Sequence, residues 1–246
     1  MRAIALSGRS RSGKTTSCEI LIRRLCAMGY RVGSVKEIHS ERFRADSRPE
    51  ANTGRHRAAG AGPVIARGLT ETAFYYSGKL PITDILRQFH SHDFVILEGV
   101  NDGCVPRIVT GKDESELLAK LDERSIAVAG VFANTHSGLW NGLPILNAVD
   151  DPVGFADFVL THAAEPLPGL SREECGLCGS DCASLAADLA HGRAEKNACP
   201  LLSCRTELSL GGEELPLSPA LRDGLLDTLA PLLRGRNGEL LLRVRL

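Results

Sequence analysis

No stretch of the 246-residue chain approaches the roughly 18 to 20 consecutive apolar residues of a membrane-spanning helix. The first residues, MRAIALSG, run into charge without the small-residue cleavage site of a secretory leader, so the cytoplasm is the expected compartment and no membrane is expected as a partner. Aromatics make up 4% of the chain, with a single Trp, which argues against base-stacking platforms and against nucleic acid as a partner. There is no internal repeat, no low-complexity segment and no Asn-Lys-x-Asp guanine motif. What remains is 43% hydrophobic and 24% charged, enough for one large globular domain or two small ones.

Charge is uneven although it sums to −1: residues 1–60 carry 13 Lys and Arg against 5 Asp and Glu, and the rest of the chain 16 against 25. A front end rich in Arg9, Arg11, Lys14, Arg42, Arg44, Arg48, Arg55 and Arg57 prefers anions, and a small phosphorylated ligand suits it better than a polynucleotide. A solvated basic face is the alternative for Arg42, Arg44 and Arg48.

Hydrophobic periodicity predicts a strand over 3–6, a helix over 14–28 ended by Gly29, and a strand over 31–36. After a polar stretch, 37–57, weak strand signals stand at 64–66 and 72–76, then a helix over 82–90. Apolar strands are expected at 93–97, 126–133 and 145–149, and a helix at 152–160. Short apolar strands alternating with helices mean an α/β fold with a mainly parallel sheet covered by helices, here over 1–165. Pro166, Pro168 and Gly169 make a linker to a small cysteine-rich segment, 171–204, with a helix over 184–191. The tail, 205–246, reads as a small α+β unit: two strands around Gly211-Gly212, a helix capped by Ser218 and Pro219, and a strand over 240–246.

The run Gly8-Arg9-Ser10-Arg11-Ser12-Gly13-Lys14-Thr15 fits G-x-x-x-x-G-K-[ST], after a buried strand and opening a helix, which is the setting of a P-loop NTPase. The glycines let successive backbone N–H groups face an anion. Lys14 is expected to neutralise the β and γ phosphates, Thr15 to ligate Mg²⁺, and Thr16 to donate to the α-phosphate. Such a site needs an acid at the end of a neighbouring strand to hold the metal through water, and Glu98 after DFVIL has that place. Lys14 and Glu98 are thus the expected catalytic pair. The base is unreadable from spacing; Asn134-Thr135-His136 follows a strand and is equally a loop.

Eight cysteines in a reducing compartment point to metal rather than disulfides where they cluster. Cys175, Cys178, Cys182 and Cys199 stand at C-x2-C-x3-C-x16-C with Pro200 next, the way an iron–sulfur cluster is wrapped, and Gly176 and Gly179 permit tight turns. Zinc held by four thiolates is the alternative, with Cys204 left over nearby. Cys18 and Cys26 read as small apolar residues of a helix, and Cys104 as a loop thiol.

On these residues, 1–151 resembles the MobB family of molybdopterin-guanine dinucleotide biosynthesis proteins, P-loop NTPases of the SIMIBI class. The likeness lies in SGKTT, in V-G-S-V-K with Lys36 and His39, and in Gly54-Arg55-His56-Arg57-Ala58-Ala59-Gly60-Ala61. Leu97-Glu98-Gly99 followed by Pro106-Arg107-Ile108 completes it. Glu37 stands where the family usually has His, and Asn52 where Asp commonly precedes the Arg-His-Arg. The cysteine segment resembles the small four-iron four-sulfur domain of some electron-transfer subunits, with one residue fewer before its third cysteine. The whole chain is similar to longer, archaeal-type members with such a domain appended.

The resemblance implies a homodimeric protein that binds GTP and Mg²⁺, hydrolyses GTP weakly, and assists conversion of molybdopterin to its guanine dinucleotide form. The implied partner is the nucleotidyltransferase MobA or a molybdoenzyme client. A nucleotide-dependent iron–sulfur or metal-centre assembly or reduction factor is the alternative.

Overall fold

A computed structural model describes residues 1–40, 43, 51–195, 197–203, 208–210, 213–215 and 224. Its centre is a five-stranded sheet built from β1 (Arg2–Gly8), β2 (Val32–Lys36), β5 (Phe94–Glu98), β6 (Arg107–Thr110) and β7 (Ser125–Ala129). The order is β2-β5-β1-β6-β7 with every pairing parallel. Between β2 and β5 lie α2 (Asn52–Ala58), the antiparallel hairpin β3 (Val64–Arg67) and β4 (Thr72–Tyr75), and α3 (Ile82–Leu86).

β1, β5, β6 and β7 are buried along nearly their whole lengths because both sheet faces are covered, which is why they read as unbroken apolar runs. Alternate residues serve opposite faces. Ile4, Leu6, Phe94, Ile96 and Ile108 pack on Leu21 and Leu25 of α1 (Lys14–Ala27) and on Phe155 and Val159 of α5 (Pro152–His162). Ala3, Ala5, Val95 and Leu97 pack the other way, on Ile82 and Leu86 of α3, with Val100 and Val105 of the β5–β6 connection. Leu117 of α4 (Glu114–Leu118) joins Val109, Val128 and Phe132 in a further cluster.

Several elements differ from the sequence expectation. Residues 130–133 do not extend β7: Gly130 takes φ of +81° and starts a 3-10 turn, Gly130–Asn134. Residues 145–149 form no strand beyond one bridge, Val128 to Ile145. Leu143 and Pro144 (β9) pair instead with Leu139 and Trp140 (β8), and Asn147 Oδ1 then accepts from the N–H groups of Val149 and Asp150, turning the chain. The helix expected over 82–90 stops at Leu86 and tightens into a 3-10 turn, Arg87–Phe89. The polar stretch hides α2, whose one buried residue is Gly54.

Beyond α5 the chain bridges back to Ala3 through Ala164 and continues into α6 (Cys182–Ala190) and α7 (Pro200–Ser203). In the tail, β10 (Leu208–Leu210) and β11 (Glu213–Leu215) pair antiparallel as expected. Cys204, Arg42, Arg44, Arg48, the helix from Ser218 and the strand at 240–246 lie outside the described residues. Among the described residues no helix is long and apolar enough to cross a membrane.

Candidate functional site

The phosphate-loop segment leaves the end of β1, at the centre of the sheet, and enters α1. Gly8 and Gly13 both have positive φ, and a Cβ on Gly8 would overlap the Thr110 carbonyl oxygen, so the close fit to β6 requires glycine there. Ser12 is fully buried: its hydroxyl meets Thr110 Oγ1 at 2.6 Å, and its carbonyl accepts from Val131 N–H at 3.1 Å. Thr110 Oγ1 in turn lies 3.1 Å from the Ser7 carbonyl oxygen. Gly130 approaches so closely that any Cβ would collide with the Ser12 carbonyl oxygen. Non-glycine Arg11 also adopts a left-handed conformation, φ 62°.

One pocket opens over this loop, walled by Gly8, Ser10, Arg11, Lys14 and Thr15 on one side and by Lys36, Glu37, His39, Glu98, Gly99, Asn101 and Lys120 on the other. Lys14 Nζ folds back onto the carbonyls of Gly8 (2.7 Å) and Arg9 (2.6 Å). Burial lowers its pKa below the ordinary lysine value, and the Glu98 carboxylate opposes that shift. The Thr15 hydroxyl donates to Glu98 Oε1 at 2.5 Å. Lys36 Nζ, from the end of β2, lies 3.0 Å from the same carboxylate oxygen and donates to Thr15 Oγ1 at 3.3 Å. Behind them Lys79 pairs with Glu37 at 2.7 Å and reaches Asp102 at 3.7 Å; the Glu37 hydrogen bond leads the causes that raise its pKa.

The hydroxyl and the carboxylate that would hold Mg²⁺ are therefore bonded directly to each other, with the Lys36 ammonium beside both. That donor set fits the ion. Thr16 is exposed on the first turn of α1. His136 stacks on Phe132 at 4.0 Å, and neither it nor Asn134 and Thr135 line the pocket. Arg55, His56 and Arg57 are absent from its walls, and Arg57 lies over the Tyr75 ring. Sequence reasoning gave no role to Lys36, Lys120 or Gly130; the basic character of the first two and the glycine directly after β7 were the available signals.

The four motif cysteines meet in one apolar cluster. Cys182 and Cys199 are buried in it with Leu167, Leu185, Ala186 and Leu201, and Cys175 and Cys178 pack against it. Cys182 is the first residue of α6, capped by Asp181, whose carboxylate accepts from Ser184 N–H. Gly176 and Gly179 have positive φ, as tight turns between thiols require. Burial pushes the Cys182 thiol up to about 11 and raises Cys199 as well. The donor chemistry suits a thiophilic centre, yet among the described residues no three His, Cys, Asp or Glu side chains stand in an arrangement that could hold a metal ion.

The chain matches the family profile described as molybdopterin guanine dinucleotide synthesis protein B over residues 3–131. The molybdopterin-guanine dinucleotide biosynthesis adapter protein of Haemophilus influenzae is 30% identical over 131 residues, 51% of this chain and 72% of that one. Two solved structures of Bacillus subtilis MobB each superpose with a TM-score of 0.50 at 26% identity, covering 65% of this chain and 97% of theirs. A parallel sheet with a phosphate-loop sequence at the end of its central strand, together with a profile match over half its length, means that the chain belongs to the MobB family.

Proposed function

We propose that the chain is a GTP-binding accessory protein of molybdenum or tungsten cofactor biosynthesis, assisting conversion of molybdopterin to its guanine dinucleotide form. The observation that carries this reading is the convergence of Lys14, Thr15, Lys36 and Glu98 on one pocket in a chain of the MobB family. Gly8 to Thr16 present backbone N–H groups to the phosphates, and Lys14 turns from the loop carbonyls to the β and γ oxygens. Thr15 and Glu98 hold Mg²⁺, which supplies charge neutralisation between the phosphates when bound. Glu37, Glu98 and His39 are the pocket's carboxylate and imidazole groups, and Glu37 is engaged by Lys79. As the family resemblance implies, hydrolysis is proposed to be weak and completed in the company of MobA or a molybdoenzyme client.

Mg²⁺-GTP binding to the wild type and its loss in Lys14→Ala, together with co-purification with the nucleotidyltransferase, test the reading. Binding of neither GTP nor ATP below millimolar concentration would sink it.

A homodimer is proposed as the working form. The hairpin β3–β4 supports it, because Ile65 and Phe74 face each other in register, each about half exposed (53%), with fully exposed Leu69 at the turn. Ile65→Asp combined with Phe74→Asp is expected to give a monomer in analytical ultracentrifugation; an unchanged dimer would place the interface elsewhere.

The chain is further proposed to divide into a nucleotide-binding unit, 1–165, a thiol-centre segment, 171–204, and the tail, 205–246. The thiol centre is a four-iron four-sulfur cluster on Cys175, Cys178, Cys182 and Cys199, supported by their spacing and by their gathering in one cluster. That gathering also favours a second reading, a nucleotide-dependent factor that assembles or reduces a metal centre in a client. Iron and sulfide analysis after anaerobic purification tests the cluster, and nucleotide-dependent cluster transfer to an apo-acceptor distinguishes the second reading.

A further inference from the structure

The pocket over the phosphate loop receives its ammonium groups from three separate places along the sheet. Lys36 stands at the end of β2, Lys14 opens α1 after β1, and Lys120 follows α4, the helix after β6. The walls hold two carboxylates, and both are engaged: Glu37 by Lys79 from outside the walls, Glu98 by Lys36 and the Thr15 hydroxyl. Lys14 is folded onto two loop carbonyls. The Lys120 ammonium has neither a hydrogen-bond nor an ion-pair partner among the described residues.

Its backbone is nonetheless fixed. Gly111, at the turn out of β6, lets α4 pack closely, since a Cβ there would come within 2.8 Å of Leu117 Cγ. Leu117 is fully buried and Leu121 packs against the same cluster. Between them the Leu117 carbonyl accepts from the N–H groups of Lys120 at 2.9 Å and Leu121 at 3.0 Å, so core leucines on both sides pin the partly buried lysine. The carboxylate that helical spacing would offer it, Glu116 four residues earlier, is taken by Lys112: Nζ lies 2.9 Å from Oε1, and the Lys112 N–H donates to Oε2 at 3.0 Å. Lys14 feels the result. Burial is the main cause that lowers its pKa, Glu98 opposes the shift, and the charges of Lys120 and Lys36 add to the lowering. An ammonium that repels its neighbour and lacks a counter-charge is relieved by an anion placed between the two.

Its place in the wall decides which part of the ligand Lys120 meets. It shares the side of Glu98, Gly99 and Asn101, across from the loop, so phosphates lying on the loop N–H groups have it on their outer side. Thr15 and Glu98 mark the end of the chain of phosphates where metal and terminal phosphate meet. Residues 134–136, the sequence candidates for the base, lie outside the pocket. We propose that Lys120 binds the terminal phosphate of a nucleoside triphosphate beside Lys14, and that it makes the pocket select triphosphates over diphosphates. This rests on the reading of the pocket as a nucleotide site, and not on which base is bound. A diphosphate brings no charge to Lys120, so the residue contributes little to that complex.

The test titrates GTP and GDP, and in parallel ATP and ADP, into the full chain in saturating Mg²⁺, as wild type, Lys120→Met and Lys120→Arg. Wild type should hold the triphosphate at least about 10-fold more tightly than the diphosphate of the same base. Lys120→Met should lower triphosphate affinity by about 10-fold and diphosphate affinity by less than about 2-fold, while Lys120→Arg, which keeps the charge, should retain most of the preference. Because the ammonium bonds nothing in the nucleotide-free protein, Lys120→Met should unfold in urea at or slightly above the wild-type midpoint, which separates a lost contact from a damaged fold. Equal losses for triphosphate and diphosphate, or an unchanged triphosphate affinity, overturn the proposal and leave the nucleotide site standing. A wild type that binds none of the four below millimolar concentration overturns the nucleotide reading and this proposal together. Binding of ATP and ADP alone overturns the choice of guanine, and the Lys120 comparison is then decided on that pair.

Discussion

Lys36 Nζ sits 3.0 Å from Glu98 Oε1, and the same ammonium reaches the Thr15 hydroxyl, so a single positive charge lies against both groups that would hold Mg²⁺. Lys36→Met should lower GTP affinity measured in chelator by about 10-fold, because no other cation then bridges that position, and by less than about 2-fold in saturating Mg²⁺. Equal losses under the two conditions would mean that Lys36 touches the nucleotide in both.

Lys14→Ala removes a charge-assisted contact to phosphate, and a loss of GTP affinity on the order of 100-fold is expected. The ammonium's depressed pKa has two consequences of opposite sign. In the alkaline range, affinity should begin to fall below the pH at which an ordinary lysine deprotonates, about 10.5. Stability of the nucleotide-free protein gains from this residue across the same window, between the lowered folded value and the unfolded one, because the unfolded chain there binds more protons. Affinity and denaturant titrations carried up to the ordinary lysine value, about 10.5, read the two effects separately.

Gly130→Ala should destabilise the fold by at least about 2 kcal/mol, through a left-handed backbone and a methyl group driven into the Ser12 carbonyl oxygen. The phosphate loop must shift to make room, so GTP affinity should drop as well. Urea denaturation and GTP titration check this; a variant with normal affinity would mean that the loop tolerates displacement.

Arg107 is buried at the head of β6, where burial lowers its pKa and the Asp122 carboxylate opposes that shift. Arg107→Ala removes one donor each from the Asp122 carboxylate and the Asn101 carbonyl, leaving both to Arg124, at an expected cost of about 2 to 3 kcal/mol. Arg107→Lys should recover only part of this, since an ammonium cannot reproduce the guanidinium fork that bonds both groups.

The parallel core was legible because strands buried on both faces leave no choice of residue: FVIL over 94–97 admits no other placement. The phosphate loop was legible for a similar reason, its glycines and lysine being fixed by backbone geometry and charge. β6 was not, because its four residues open on a buried arginine whose partner, Asp122, lies 15 positions away. Lys36 entered the sequence reading only as part of the V-G-S-V-K motif, and it is the fold that sets it beside Glu98. Cys104 looked like a loop thiol, since only the packing of the segment after α5 brings it to the other cysteines.

The bonds from Ser12 to Thr110 and Val131 mean that the loop's curvature is fixed before any anion arrives. An arriving triphosphate therefore orders little backbone, and calorimetry should record a small heat-capacity change and a modest entropy loss in place of the signature of coupled folding. The group that would have to rearrange is the Lys14 side chain, now held by two loop carbonyls. If the site is the proposed nucleotide pocket, dissociation would reverse one side-chain swing, and fast exchange of nucleotide is expected.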